Sequence, residues 1–110
     1  MAYDEHLASR VREALADAEG ISEQQMFGGL AVLRHGNMVC GVMGDELMLR
    51  LGPELADAAL DEPNTRPMDF TGRPMKSMVI VEPPGFAGDE ALAGWVERAL
   101  GFAATLPPKR

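Results

Sequence analysis

Between Met26 and Gly52 the chain reads MFGGLAVLRHGNMVCGVMGDELMLRLG, six glycines set among apolar residues. Glycines at this density suit either a loop that wraps an anion or a sheet that needs tight reversals and close backbone approach. The period decides between them. Glu46, Met48 and Arg50 alternate with Leu47, Leu49 and Leu51, the two-residue repeat of a strand with one buried face. RHGNM and MGDE supply the Gly, Asn and Asp that tight turns need. A phosphate loop requires strand, glycine loop and helix in that order, and neither G-x-x-x-x-G-K-[ST] nor G-x-G-x-x-G occurs. The stretch therefore reads as a sheet centre, with strands over residues 25–34, 37–43 and 45–51. Gly28 and Gly29 are structural glycines within the first strand, at a bulge or where a helix packs closely on bare backbone. Met48, out of phase with the leucines, is expected to be partly exposed.

The flanking segments change period. Leu7, Val11, Ala14, Leu15 and Ala18 recur at three- and four-residue steps and predict an amphipathic helix over residues 3–19, with Asp4 as N-cap and Gly20 as its stop. GPELADAAL opens on Pro53, suited to a first helical turn, and predicts a short second helix closed by Pro63. TRPMDFTGRPMKSMVIV holds two prolines and a Thr-Gly turn before Val79, Ile80 and Val81. It predicts a short edge strand, a loop and a buried strand. Gly88 or Asp89 caps a last helix whose apolar face is Leu92, Trp95, Val96, Ala99, Phe102 and Ala103. The order is α-β-β-β-α-β-β-α, which an α+β two-layer sandwich satisfies: a mostly antiparallel five-stranded sheet with helices packed on one face.

Composition bounds the function. A chain of 110 residues with 46% hydrophobic and 25% charged residues can bury one core, so a single domain over residues 1–110 is expected. The lone Cys40 cannot form an internal disulfide, and no secretory leader opens the chain, so the cytoplasm is the expected compartment. The apolar runs are too short for a helix that spans a bilayer. Formal net charge is −7, against the basic balance that phosphate neutralisation requires, so direct nucleic-acid binding is disfavoured. One segment departs from this: residues 64–81 carry Arg66, Arg73 and Lys76 against Asp69 alone, a local +2.

No motif for catalysis, cofactor or metal emerges. His6, His35 and Cys40 do not supply the closely spaced ligand pairs of a structural zinc site; His6 reads as a solvated helix residue and His35 as a turn residue. Cys40 reads as a small buried hydrophobe on a strand rather than a nucleophile. The acidic residues fall on helix ends or polar faces, where solvation accounts for them. Eight methionines are more pointed, because this side chain fills irregular cores and also lines adaptable binding surfaces. Met68 and Met75 flank the basic segment, and an apolar patch beside positive charge suits a protein partner.

MFGGLAV, GNMVCGVMGDELMLRLGPE, RPMDFTGRPMK and ALAGWVERALGFAATLPPK together resemble the N-terminal domain of the TfoX/Sxy family, over nearly the whole chain. The resemblance implies the α-β-β-β-α-β-β-α sandwich, similar to secretion chaperones. It also implies a role like that of members that regulate natural competence, thought to work with the cyclic-AMP receptor protein. Those regulators carry a second, C-terminal domain, whereas this chain is expected to be a stand-alone member. Ser77 stands where the family often has glycine. The family brings no catalytic residues to carry over.

The reading that follows is a non-enzymatic regulatory module that acts through a protein partner, a transcription regulator by the resemblance. Arg66, Met68, Arg73, Met75 and Lys76 form the expected contact surface, held in a proline-bounded loop. A small nucleic-acid-binding domain is the second reading, and an enzyme the third. Self-association as a homodimer is expected from the likeness to secretion chaperones and from an exposed edge strand that a second chain could cover.

Overall fold

Asp4 starts the first helix by accepting hydrogen bonds from the backbone N–H groups of His6 and Leu7 at 2.8 and 3.2 Å, satisfying two donors that have no intrahelical partner. The computed structural model describes residues 3–26, 28–70 and 73–107, with the side chains of all but residues 26, 68–70 and 73–75. Helix α1 (Glu5–Ala14) leads into β1 (Ile21–Met26), β2 (Gly29–Arg34), β3 (Asn37–Met43) and β4 (Glu46–Arg50). Helix α2 (Pro53–Ala59), β5 (Thr65–Phe70), β6 (Arg73–Val81), a 3₁₀ turn (Pro83–Phe86) and α3 (Asp89–Ala103) follow. The strands form one antiparallel sheet in the order β1-β2-β3-β4-β6-β5. The architecture is α+β.

Six strands replace the expected five. ISEQQM, the sequence of β1, carries no apolar alternation, so periodicity places no strand there. Tertiary pairing makes one: β1 is an edge strand held by its ladder to β2, from Ile21 opposite Arg34 to Met26 opposite Gly29. The Arg12 guanidinium adds a second tether from α1, donating to the Glu23 carboxylate at 2.7 and 2.8 Å. Helix α1 also ends earlier than its apolar spacing suggests, at Ala14, with Leu15 as C-cap. Gly20 lies beyond it at φ +73, and its carbonyl accepts from the His35 N–H at 2.9 Å.

Gly28 and Gly29 have separate roles, and Gly28 is not a strand residue. The chain reverses between Met26 and Gly29, with Gly28 at φ +71 and open space where a Cβ would be. Gly29 starts β2, and a Cβ there would sit 2.2 Å from the Val42 carbonyl oxygen. The close approach is therefore strand on strand, not helix on strand.

Alternation within β4 and β6 sends Leu47, Leu49, Val79 and Val81 to one face of the sheet, where α1 and α3 pack through Leu7, Val11, Leu92, Trp95, Val96 and Ala99. Helix α2 contributes Ala56 and Ala59 to this core. Gly52, the N-cap of α2, lies at φ +86 against the Phe102 ring, which leaves no room for a side chain.

Two predictions test these contacts. Gly29→Val places a branched side chain against the Val42 carbonyl and should destabilise by about 1–3 kcal/mol, whereas Gly28→Ala meets no atom and should cost about 1 kcal/mol from its dihedral alone. Denaturant midpoints of the two variants give the order. The hydrogen bonds from Arg12 hold the Glu23 carboxyl below its ordinary value of 4.5. Its folded pKa is thus depressed, so this pair stabilises the fold at neutral pH and the contribution disappears as pH falls through the folded pKa. Thermal melts between neutral pH and strong acid should show Glu23→Gln less stable than the wild type at neutral pH, with the difference shrinking on acidification.

Candidate interaction surface

The alternation that sends leucine and valine to the helices sends Met48, Met78 and Ile80 to the opposite face, where they form a second buried cluster. Met38 and Met43 pack against it, half-buried. Every member of this cluster is a strand residue. Met48 is not partly exposed, as its phase suggests, but only 1% exposed. The reason is Gly41, directly opposite on β3: a Cβ there would lie 2.6 Å from the Met48 methyl, so the methionine lies flat over bare backbone.

The expected site residues share one hairpin. Arg66 and Met68 lie on β5, and Arg73, Met75 and Lys76 on β6. The segment is thus mostly paired strand rather than the proline-bounded loop its composition suggests. Phe70 pairs with Arg73 and Asp69 with Pro74, and the register shifts between Pro67 and Asp69. Proline cannot donate to a ladder: Pro67 lies on the edge strand β5, and Pro74 lies outside the stretch of β6, Met78 to Val81, that pairs with β4. The expected Thr-Gly turn lies outside the described residues, as do the side chains of Met68, Arg73 and Met75.

Arg66 is engaged within the chain. Its guanidinium reaches across β6 to pair with Glu46 on β4 and also approaches Glu82 at 3.7 Å. Since Arg66 stands opposite Ile80 in the sheet, this bridge lies over the edge of the methionine cluster. Lys76 is exposed and has no salt bridge to any described residue. It borders two hollows that share Lys76 and Met78 in their linings. One, of about 380 Å³, is lined by Met38, Arg50, Lys76, Ser77 and Met78. The other, of about 580 Å³, runs between α2 and the β5–β6 hairpin, with Glu54, Asp57 and Leu60 on the helix side and Pro67, Lys76 and Met78 on the strand side.

Arg50, Glu54, Asp57, Leu60 and Met78 escape a reading of the sequence. Leu55 on α2 and Leu60 at its C-cap are the strongest apolar residues of this segment, yet they are exposed while Ala56 and Ala59 are buried. The small residues let the helix approach the core closely, a choice that spacing alone does not reveal.

Beside Trp95 a hollow of about 440 Å³ is bordered by Arg98, which stacks 4.4 Å from the indole and pairs with Glu62 at 2.7 Å. The indole N–H donates to the Gly85 carbonyl at 3.2 Å. Cys40 lies in the helix-side core, and burial pushes its thiol up to about 12, so it is protonated at neutral pH and out of reach of solvent. His6 is exposed on α1, and His35 is exposed in the β2–β3 turn at φ 49. Among the described residues, no three His, Cys, Asp or Glu side chains group as a metal site. No helix among them is long and apolar enough to cross a membrane.

The chain belongs to the TfoX N-terminal domain family, whose match runs over residues 13–103 and thus takes in the sheet, both hollows and the whole of α3. No curated protein and no solved structure matches the chain.

The burial of Met48 is measurable. Met48→Ala should lower stability by about 2–5 kcal/mol, as for a core methionine, whereas an exposed one would cost at most about 0.5 kcal/mol. Urea denaturation of the purified variant distinguishes the two.

Proposed function

We propose that this chain is a non-enzymatic regulatory module of the cytoplasm, modulating transcription by binding a protein partner of acidic character through the methionine face and its basic border. The observation that carries the reading is the apolar strand face on which the half-buried Met38 and Met43 pack over the buried Met48, Met78 and Ile80, with Arg50 and Lys76 beside it. Methionine adapts to differently shaped apolar partners, and a basic rim orients an acidic one. Family membership supports a regulatory domain, and the transcriptional role follows the competence regulators that the sequence resembles.

Direct contact with nucleic acid is the competing reading, and charge disfavours it. The chain carries a net −7, and Arg10, Arg12, Arg66 and Arg98 each pair with a carboxylate of the chain itself. A phosphate backbone would have to displace those pairs.

Affinity capture from native cytoplasm, with Arg73→Glu plus Lys76→Glu as the control, tests the proposal. The wild type should retain an acidic protein that the double variant loses, while both melt at nearly the same temperature. Retention of every partner by the folded variant would remove this surface from consideration. Binding to a DNA duplex that weakens steeply with salt would favour the competing reading.

A further inference from the structure

The groove between α2 and the β5–β6 hairpin has walls of opposite sign. Glu54 and Asp57 stand on the helix, Lys76 stands on β6, and Arg50 continues the basic side past Met78. No salt bridge among the described residues joins the two walls. Pro67 and Met78 give the groove an apolar lining, and the two most exposed large hydrophobic residues described are Leu55 at 52%, on α2, and Leu60 at 37%, its C-cap. Exposed leucines beside an apolar groove mark a surface that association would cover.

We infer that two copies of this chain pair along this groove, groove facing groove. A partner of one sign meets like charge on one wall: an acidic segment faces Glu54 and Asp57, and a basic one faces Lys76. A second copy avoids both conflicts. With a two-fold axis lying along the groove, each acidic wall lies over the basic wall of the other chain, and a single operation satisfies both. Leu60 and Met78 of each chain then form the apolar centre, while the charges at the rim set the register. The pairing covers Lys76 and Met78, so it competes with a partner at the adjoining methionine face. The dimer stands without that partner, but the competition rests on it.

Sedimentation velocity across a concentration series tests the pairing. The wild type should form a reversible dimer. Lys76→Glu alone, or Glu54→Lys with Asp57→Lys, should each raise the dimer Kd by about tenfold or more, because like charges then face each other. An equimolar mixture of the two variants should restore a dimer of wild-type strength, since every wall again meets its opposite. All the substituted positions are exposed, and circular dichroism melts verify folding. Should a variant fail to fold, carbodiimide coupling of the wild type takes its place: a covalent dimer joined through Lys76 and Glu54 or Asp57 supports the pairing. A wild type that stays monomeric, a dimer that neither variant weakens, a mixture that does not recover, or a coupled dimer lacking that link overturns it. Glu54→Lys with Asp57→Lys leaves the methionine face intact, so loss of the dimer and loss of partner capture are separable.

Discussion

Both faces of the central strands carry apolar side chains, yet α1 and α3 cover only one of them, and much of the structure answers that imbalance. On the helix side, leucine and valine from β4 and β6 meet Leu92, Trp95 and Val96 in an ordinary two-layer core. On the other side the strands bury apolar surface among themselves. Gly41 makes this feasible by leaving bare backbone on which Met48 lies, and Arg66 arches across β6 towards Glu46 beside Ile80. Methionine suits such a place because an unbranched, polarizable side chain can lie along a pleated surface that a branched one would stand away from.

The same economy governs charge. Four arginines are tied to carboxylates of the chain, and each tie joins separate elements: Arg10 reaches Asp89, Arg12 Glu23, Arg66 Glu46 and Arg98 Glu62. Exposed pairs like these add little stability individually, but they hold edge elements in place, β1 most clearly. Lys76 stands apart from this network, and Arg50 stacks over Phe102 at 5.5 Å. Positive charge is therefore concentrated beside the methionine face and the groove, which is why both proposals converge on that corner of the molecule.

Much of the fold was legible because periodicity and capping are local. Asp4, Pro53 and Gly88 begin helices where their chemistry predicts, and the alternation from Glu46 to Arg50 marks β4. The candidate surface was legible only as a basic segment rich in methionine. Arg66 belonged to that segment by sequence, yet Glu46 and Glu82, distant in the chain, claim its charge. The α2 wall was hidden because its alanines, not its leucines, face the core.

The sequence by itself determined the α+β class, the helix starts, the alternation of β4 and the burial of Cys40, since each depends on residues within a few positions of one another. Tertiary structure alone decided that ISEQQM is a strand, that Met48 is buried and that Lys76 faces Glu54 and Asp57 across a groove. These outcomes depend on which segments become neighbours. A polar hexapeptide pairs because β2 offers it a ladder, a methionine is covered because a glycine stands opposite, and a lysine gains a facing acidic wall because α2 packs against β6.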